Sequence, residues 1–294
     1  MLLTRDRICR DLQDYYRQDV SSAVVDCDYA MHRCRKCGLE FAEPQTPGSS
    51  VFYDWITHTA GYYPDSRWEW QKCVEIIMSR KAGGARLLEV GCGSGLFLDK
   101  VRNAVGSVLG VDSSENAVTQ CRDRGVPARC SRVEDLEKDS GYDYICSFHC
   151  LEHIADPSKF LGDVLEQLSP AGVIFFSTPL SPMFFEAVWH DPLNHPPHHI
   201  TRWRLSSYRA LAGSHGLSVD FYFPARRQIR EAMENALHLK YFGRFETFSR
   251  DRLLERMMQK PAEAMQDLIK LCWRALADRG AFYGCVLVEF RRKR

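Results

Sequence analysis

No apolar run in the 294-residue chain approaches the roughly 20 residues that a membrane-spanning helix needs. Net charge is nearly absent too: 39 Lys and Arg against 38 Asp and Glu leave a formal +1. That excludes a global electrostatic pull toward nucleic acid or anionic lipid, and the closing "RRKR" reads as a solvated tail. The opening "MLLTRDRICR" meets charge too early for the apolar region of a signal peptide. Internal repeats and low-complexity segments are missing as well. Twelve cysteines are present but scattered through strand-like and helix-like segments. With no export signal they read as reduced, buried small hydrophobes of a cytoplasmic protein.

From Arg86 the chain alternates strand-like runs with amphipathic stretches. "ARLLEVG", "SVLGVD", "VPARCS", "YDYICSFHC" and "VIFFSTP" read as strands, each apolar on both faces. "GLFLDKVRNAV", "SENAVTQCRDRG" and "DPSKFLGDVLEQLSPAG" read as helices, the last with Asp156 as N-cap, Pro157 at the first position and Gly172 past its end. This pattern implies a mostly parallel α/β sheet covered by helices on both sides. After Pro179 comes a loop rich in Pro and His, "SPMFFEAVWHDPLNHPPHHITRWR", then a helix, "LSSYRALAGSHG", and a strand, "LSVDFYF". A helical stretch broken by Pro261 follows, and a late strand, "GCVLVEF", suggests a terminal antiparallel pair with a helical insertion between its members.

The segment "LLEVGCGSGLFL" is a strand feeding a turn of alternating glycines and then a helix. In an open parallel sheet such a turn lies at the carboxyl ends of the strands, where a ligand can approach the backbone. A dinucleotide fingerprint would require a third glycine at position 96, which is Leu96. Glu89 precedes the turn, and Asp112 ends the next strand, where a carboxylate can accept both hydroxyls of an adenosine ribose.

Taken together, "LLEVGCGSGLFL", "GVDSSENAV" and "YDYICSFHCLEHIADPSKFLGDVLEQLSPAGVIFFSTP" resemble the motifs of class I S-adenosylmethionine-dependent methyltransferases. The resemblance runs from about Arg86 to Val219 and is to the branch with ubiquinone-pathway O-methyltransferases and sugar C-methyltransferases. It implies a seven-stranded Rossmann-like sheet whose last strand inserts antiparallel beside its neighbour. Carried onto this chain, it puts Glu89, Gly91, Cys92, Gly93 and Gly95 around the methionine part of the cofactor, and Asp112 with Ser113 at the ribose. Val133 and Glu134 would flank the adenine, Phe148 and His149 would line the sulfonium, and Tyr62 and Arg67 would cover the cofactor. An arginine suits the cofactor's carboxylate.

Methyl transfer from a sulfonium is an in-line displacement, so positioning supplies most of the catalysis, and a base matters where the acceptor must lose a proton. Histidines cluster after the fourth strand (His149, His153) and after the fifth (His190, His195, His198, His199). His149, His198 and His199 are the candidates for that base. In the sugar C-methyltransferases a Glu-His pair with a nearby Tyr occupies the later loop; here stand His198-His199 and prolines. The departure favours an oxygen or nitrogen acceptor on a small molecule over carbon. Some ubiquinone-pathway enzymes hold a divalent ion on a Glu-x-x-Glu-His run, which reads His149, Cys150, Leu151, Glu152, His153 here. Glu152 and His153 fit better as the cap and anchor of the following turn.

Four regions are expected: 1–47, 48–85, a catalytic core of 86–225 with 278–294, and 226–277. The first carries "RCRKCGLEF", a Cys-x-x-Cys-Gly knuckle similar to one half of the zinc ribbon that related methyltransferases place before the catalytic domain. Its partner knuckle is damaged, since only Cys9 remains where two cysteines are expected. Structural zinc on Cys9, Cys27, Cys34 and Cys37 stands against a ribbon without metal, with His32 able to complete the set. The second region is aromatic and would cover the cofactor, while the fourth is a lid or a contact between two copies of the chain. An RNA methyltransferase is disfavoured by the neutral charge and the lack of a basic, aromatic stripe. A non-catalytic cofactor-binding scaffold is disfavoured by the intact turn and the histidines, and a dehydrogenase by Leu96.

Overall fold

Residues 1–17, 20, 24–57, 65–80, 83–138, 141–225, 229–243, 246–277 and 284–293 are described by the computed structural model. The chain starts with β1 (Leu2–Leu3) and α1 (Arg5–Tyr16), whose N-cap Thr4 accepts the Arg7 N–H through its hydroxyl. β2 (Tyr29–Arg33) and β3 (Glu40–Glu43) form a hairpin around the cysteine knuckle, followed by α2 (Ser50–Thr57) and α3 (Trp68–Ser79). Next come β4 (Arg86–Val90), α4 (Leu96–Val101), β5 (Ser107–Asp112), α5 (Glu115–Asp123) and β6 (Ala128–Cys130). β7 (Tyr142–Phe148), α6 (Pro157–Gln167) and β8 (Leu168–Pro179) complete the alternation. The remaining elements are β9 (Thr201–Arg202), α7 (Leu205–Ser214), β10 (Leu217–Tyr222), α8 (Ile229–Phe242), α9 (Arg250–Gln259), α10 (Pro261–Ala277) and β11 (Cys285–Arg292).

Seven strands form the main sheet in the order β10-β11-β8-β7-β4-β5-β6. β4 pairs in parallel with β5 and β7, and β11 lies antiparallel between β10 and β8, as the late strand implied. Successive residues alternate between two apolar layers. Leu88, Ile145, Phe176 and Val288 face α6 and α7, while Leu87, Cys146, Phe175 and Leu287 face α3, α4 and α5. All eight are fully buried, which is why these strands read as continuous apolar runs rather than alternating ones.

One expected helix is shorter than its sequence pattern. α6 stops at Gln167, and β8 starts at Leu168, four residues before Gly172. Pro170 has no N–H for the helix and disfavours helical backbone at the residue before it, so the chain turns extended there.

The N-terminal hairpin belongs to a second sheet, β1-β2-β3-β9, whose last strand comes from the segment after β8. Glu40 pairs with Arg202 and Phe41 with Thr201. Leu3, Leu12, Phe52 and Ile56 bury Leu193 and Ile200 of that same segment in one cluster. The cysteine knuckle and the histidine-rich loop are therefore one folded unit. α8 and α10 pack over Phe184, and the outer face of α10 leaves Met265, Ile269, Trp273 and Leu276 exposed. Among the described residues no helix is long and apolar enough to cross a membrane.

Phe176 is buried completely between Phe160 and Phe290, ring to ring at 5.7 Å from each. Phe176→Ala is expected to lower unfolding free energy by about 3–5 kcal/mol in a urea titration. A loss below about 1 kcal/mol would show that this layer is not the core.

Candidate active site

β4 ends at Val90, and Gly91, Gly93 and Gly95 then take φ values of 75°, 51° and 78°. Side chains are strained in that left-handed region, and space is short as well. A Cβ on Gly91 would meet Cys150 Sγ at 3.2 Å, and one on Gly95 would lie 2.5 Å from Cys121 Sγ. Asp112, at the carboxyl end of β5, accepts the Gly93 N–H at one oxygen and the Ser114 N–H at the other, both at 2.9 Å. Each oxygen keeps a further lone pair for hydroxyl donors. Glu89 is buried with Oε2 lacking any hydrogen-bond partner, and burial, with the Asp112 charge adding, pushes its pKa well above the carboxylate range.

The other expected cofactor residues lie along the same edge. Phe148 is buried against Phe97, ring centroids 4.6 Å apart, and edge-on to Trp70 at 6.5 Å. Val133 is buried, while Ser113 and Glu134 are exposed, Glu134 beside Arg132 at 3.4 Å. Arg67 precedes α3 and sits over the Trp70 ring at 5.9 Å. Cys92 is buried and its thiol is pushed up by burial, so it is packing rather than a reactive thiolate. Tyr62 lies outside the described residues.

His149 follows β7 with φ 51°, a left-handed conformation for a residue with a side chain, held by its N–H to Ser177 O at 2.9 Å. Its Nε2 donates to Glu69 Oε1 at 2.6 Å, and its Nδ1 lies 3.4 Å from Glu152 Oε1. Burial alone would lower its pKa, but contacts with Glu152 and Glu69 raise it above the ordinary value. Burial would raise Glu69, yet the His149 hydrogen bond and charge hold it below the carboxylate range. Beside this pair, across Cys285, opens a cleft of about 270 Å³ lined by Trp68, Met183, Phe184, Phe185, Pro224 and Cys285 among others. Trp68 Nε1 donates to Cys285 Sγ at 2.9 Å, and burial pushes that thiol up to about 12.

The remaining histidines point elsewhere. His195 donates from Nδ1 to Asp191 O and accepts the Arg202 guanidinium at Nε2, 2.8 Å away; burial and that cation lower its pKa to about 3. Arg202 also pairs with Glu186 and donates to Ser181 Oγ at 2.9 Å, forming a buried polar network under the loop. His198 donates from Nδ1 to Leu193 O at 2.8 Å, and His199 from Nδ1 to Asn194 Oδ1 at 3.1 Å. Burial and the neighbouring histidines push His199 well below its ordinary value. His153 donates to His198 O at 2.6 Å, so it does anchor the turn, as expected. Glu152 does not cap it through its side chain; its backbone carbonyl accepts the Ile200 N–H.

Cys34 and Cys37 face each other across the β2–β3 turn, where backbone N–H groups, chiefly of Cys37, lower the Cys34 pKa. Cys9 and Cys27 instead pack on the apolar cluster around Leu3 and Tyr29. Among the described residues the four thiols do not converge on one point. The reason is that the hairpin's outer edge pairs with β9 rather than with a second knuckle.

A family model described as a methyltransferase domain matches residues 67–236, more than half of the chain. The chain belongs to this methyltransferase family. Its class I S-adenosylmethionine-dependent fold is shared by known structures. The methyltransferase in complex with the Haloferax volcanii Trm112 activator aligns with a TM-score of 0.51 at 19% identity, covering 77% of this chain and 90% of that one. The plantazolicin methyltransferase BpumL, with a desmethyl plantazolicin analogue and S-adenosylhomocysteine, aligns at 0.50 and 16%, covering 82% and 89%. Among curated proteins, the ubiquinone biosynthesis O-methyltransferase of Nitrobacter winogradskyi is 33% identical over 101 residues, 32% of this chain and 39% of that protein. Its Coxiella burnetii counterpart is 31% identical over 102 residues, 32% and 44%. The alignments thus span about two-fifths of those relatives' length.

For this methyltransferase-family chain, the sequence reading missed Glu69, Cys285 and the Arg202 network. Glu69 had a signal. It shares the inward stripe of α3 with Cys73, Ile76 and Ile77, and a carboxylate on an apolar stripe needs a buried partner.

The Glu69–His149 pair has a pH signature. Glu69 is depressed, so its contribution to stability is complete above the unfolded value of about 4.3 and is lost as pH falls through its folded value. His149 is raised, so its contribution is complete below about 6.5 and is lost as pH rises through its folded value. The melting-temperature gap between wild type and Glu69→Gln is expected to be widest at about pH 5–6 and to narrow on both sides. A gap that stays constant across that range would contradict the pairing.

Proposed function

We propose that the protein transfers the methyl group of S-adenosylmethionine to an oxygen or nitrogen atom of a small molecule, with His149 as the base. The observation that carries this reading is the adjacency of two features along one sheet edge: the Gly91–Asp112 cradle and an apolar cleft next to His149. The residues present fit the cofactor. The turn tolerates no Cβ, Asp112 has lone pairs for ribose hydroxyls, and Glu89, its Oε2 unpartnered, is buried in the strand before the turn. When bound, the cofactor supplies an electrophilic methyl.

The chain's own residues do the rest. Gly91, Cys92, Gly93 and Gly95 let the backbone approach the methionine portion, and Arg67 answers its carboxylate. Asp112 and Ser113 hold the ribose, and Val133 and Glu134 flank the adenine. Phe148, packed on Phe97 and Trp70, forms an apolar wall that excludes water. His149 in its neutral form takes the acceptor's proton, and Glu69 balances the resulting imidazolium. A cleft of about 270 Å³ suits a small acceptor better than a polymer. The ubiquinone biosynthesis O-methyltransferases that match about a third of the chain support an oxygen acceptor. His198 and His199, the other candidate bases, have their Nδ1 protons committed within the loop and face His153 instead.

Calorimetry with S-adenosylhomocysteine is expected to show one site, weakened about ten- to a hundred-fold in Asp112→Asn. Unchanged affinity would remove the cofactor assignment. His149→Ala is expected to lower kcat by about 10²–10⁴ while leaving that affinity intact, and Glu69→Gln to move the acid limb of kcat to lower pH. Undiminished turnover in His149→Ala would shift the base to another group.

A further inference from the structure

Two groups of potential ligands converge among the described residues, and they behave differently. In Glu69, His149 and Cys285 the acid and the imidazole are already bonded to each other, and the buried thiol stays protonated. The second group, His153, His198 and His199, offers a ring nitrogen from each residue, the three within 4.8 Å of one another. Ring centroids lie 4.7 Å (153 to 198), 5.0 Å (153 to 199) and 4.5 Å (198 to 199) apart.

The backbone holds the two segments together. Ile200 N–H donates to Glu152 O at 3.0 Å, and Thr201 Oγ1 donates to Leu151 O at 3.2 Å. The three rings share one orientation of their protons. His153 Nδ1 donates to His198 O, His198 Nδ1 to Leu193 O, and His199 Nδ1 to Asn194 Oδ1. Each Nε2 is therefore the nitrogen that carries the lone pair. Metal-ligating histidines are held in this way: one ring N–H donates to an oxygen, which fixes the tautomer and aims the other nitrogen.

Charge points the same way. Glu152 is 1% exposed, and its Oε1 lies 3.4 Å from His149 Nδ1 and 3.9 Å from His199 Nε2, on the edge of this group. A buried carboxylate at the edge of the group favours a cation among the neighbouring rings.

We propose that His153, His198 and His199 bind a divalent transition-metal ion of the Zn²⁺ class, with Glu152 as the adjacent compensating charge. Imidazole ligands select zinc and its first-row neighbours over magnesium and calcium, which prefer oxygen. Three protein ligands leave a fourth position for water or an acceptor group. This ligand set differs from the His149, Glu152, His153 run that the sequence pattern suggested, because Glu69 holds His149 Nε2 and the later loop supplies two imidazoles. It is also separate from the cysteine knuckle and does not depend on the proposed methyl transfer.

The test is a Co²⁺ titration of the full chain after chelator treatment, followed by visible absorption. One equivalent is expected to give ligand-field bands without thiolate charge-transfer bands, and Zn²⁺ should displace it. A Cys34→Ser, Cys37→Ser variant should keep the signal. His153→Gln and His199→Gln, checked for folding by circular dichroism, should lose it. Asn194→Ala, which removes the acceptor of the His199 proton along with donors to Ser181 and Glu186, should weaken binding about 10- to 100-fold. The proposal is overturned if the wild type takes up neither metal, if the signal vanishes with the cysteines, or if the folded histidine variants bind as tightly as wild type.

Discussion

Asp112 is the joint on which the candidate site depends. One carboxylate clamps the glycine turn after β4 to the turn after β5, through Gly93 N–H and Ser114 N–H. The clamp is possible because β4 and β5 are parallel neighbours, so their carboxyl ends emerge side by side. It sits at the carboxyl edge of the sheet, where the glycine turn and the turn after β5 emerge side by side.

Charge around the joint is arranged by burial. Glu89 is pushed well above the carboxylate range by burial, and His149 carries a raised pKa between Glu69 and Glu152. A few residues away His153 and His199 are depressed by burial, and His195 accepts the Arg202 guanidinium as a neutral base. Histidines of one sequence cluster thus fall into two electrostatic classes. What separates them is the company of carboxylates, which reaches His149 from α3 and from the turn after β7.

The sheet was readable because its strands are buried on both faces and its helices carry caps, as at Asp156 and Ser114. The glycine turn and Asp112 were readable because backbone chemistry restricts them to few residue types. Helix α6 was overextended because its periodicity continues past Pro170, which wins locally. The N-terminal region was harder. Its third strand pairs with β9, a two-residue strand from a loop more than 150 positions later, and no local pattern announces such a pairing. Glu69 was visible only as an acid on an apolar stripe, and its partner His149 sits 80 residues away. The cysteine spacing suggested four converging ligands, whereas the fold spends Cys9 and Cys27 on packing.

The central claim is that the Gly91–Asp112 edge binds an S-adenosyl ligand with the acceptor cleft beside it. A crystal structure of the chain with S-adenosylhomocysteine tests this most directly. The account predicts the ribose hydroxyls on Asp112, the homocysteine portion over Gly91–Gly95, and the cleft at Trp68 and Phe184 open next to His149. Ligand density at any other place in the fold, or none at saturating concentration, would contradict it.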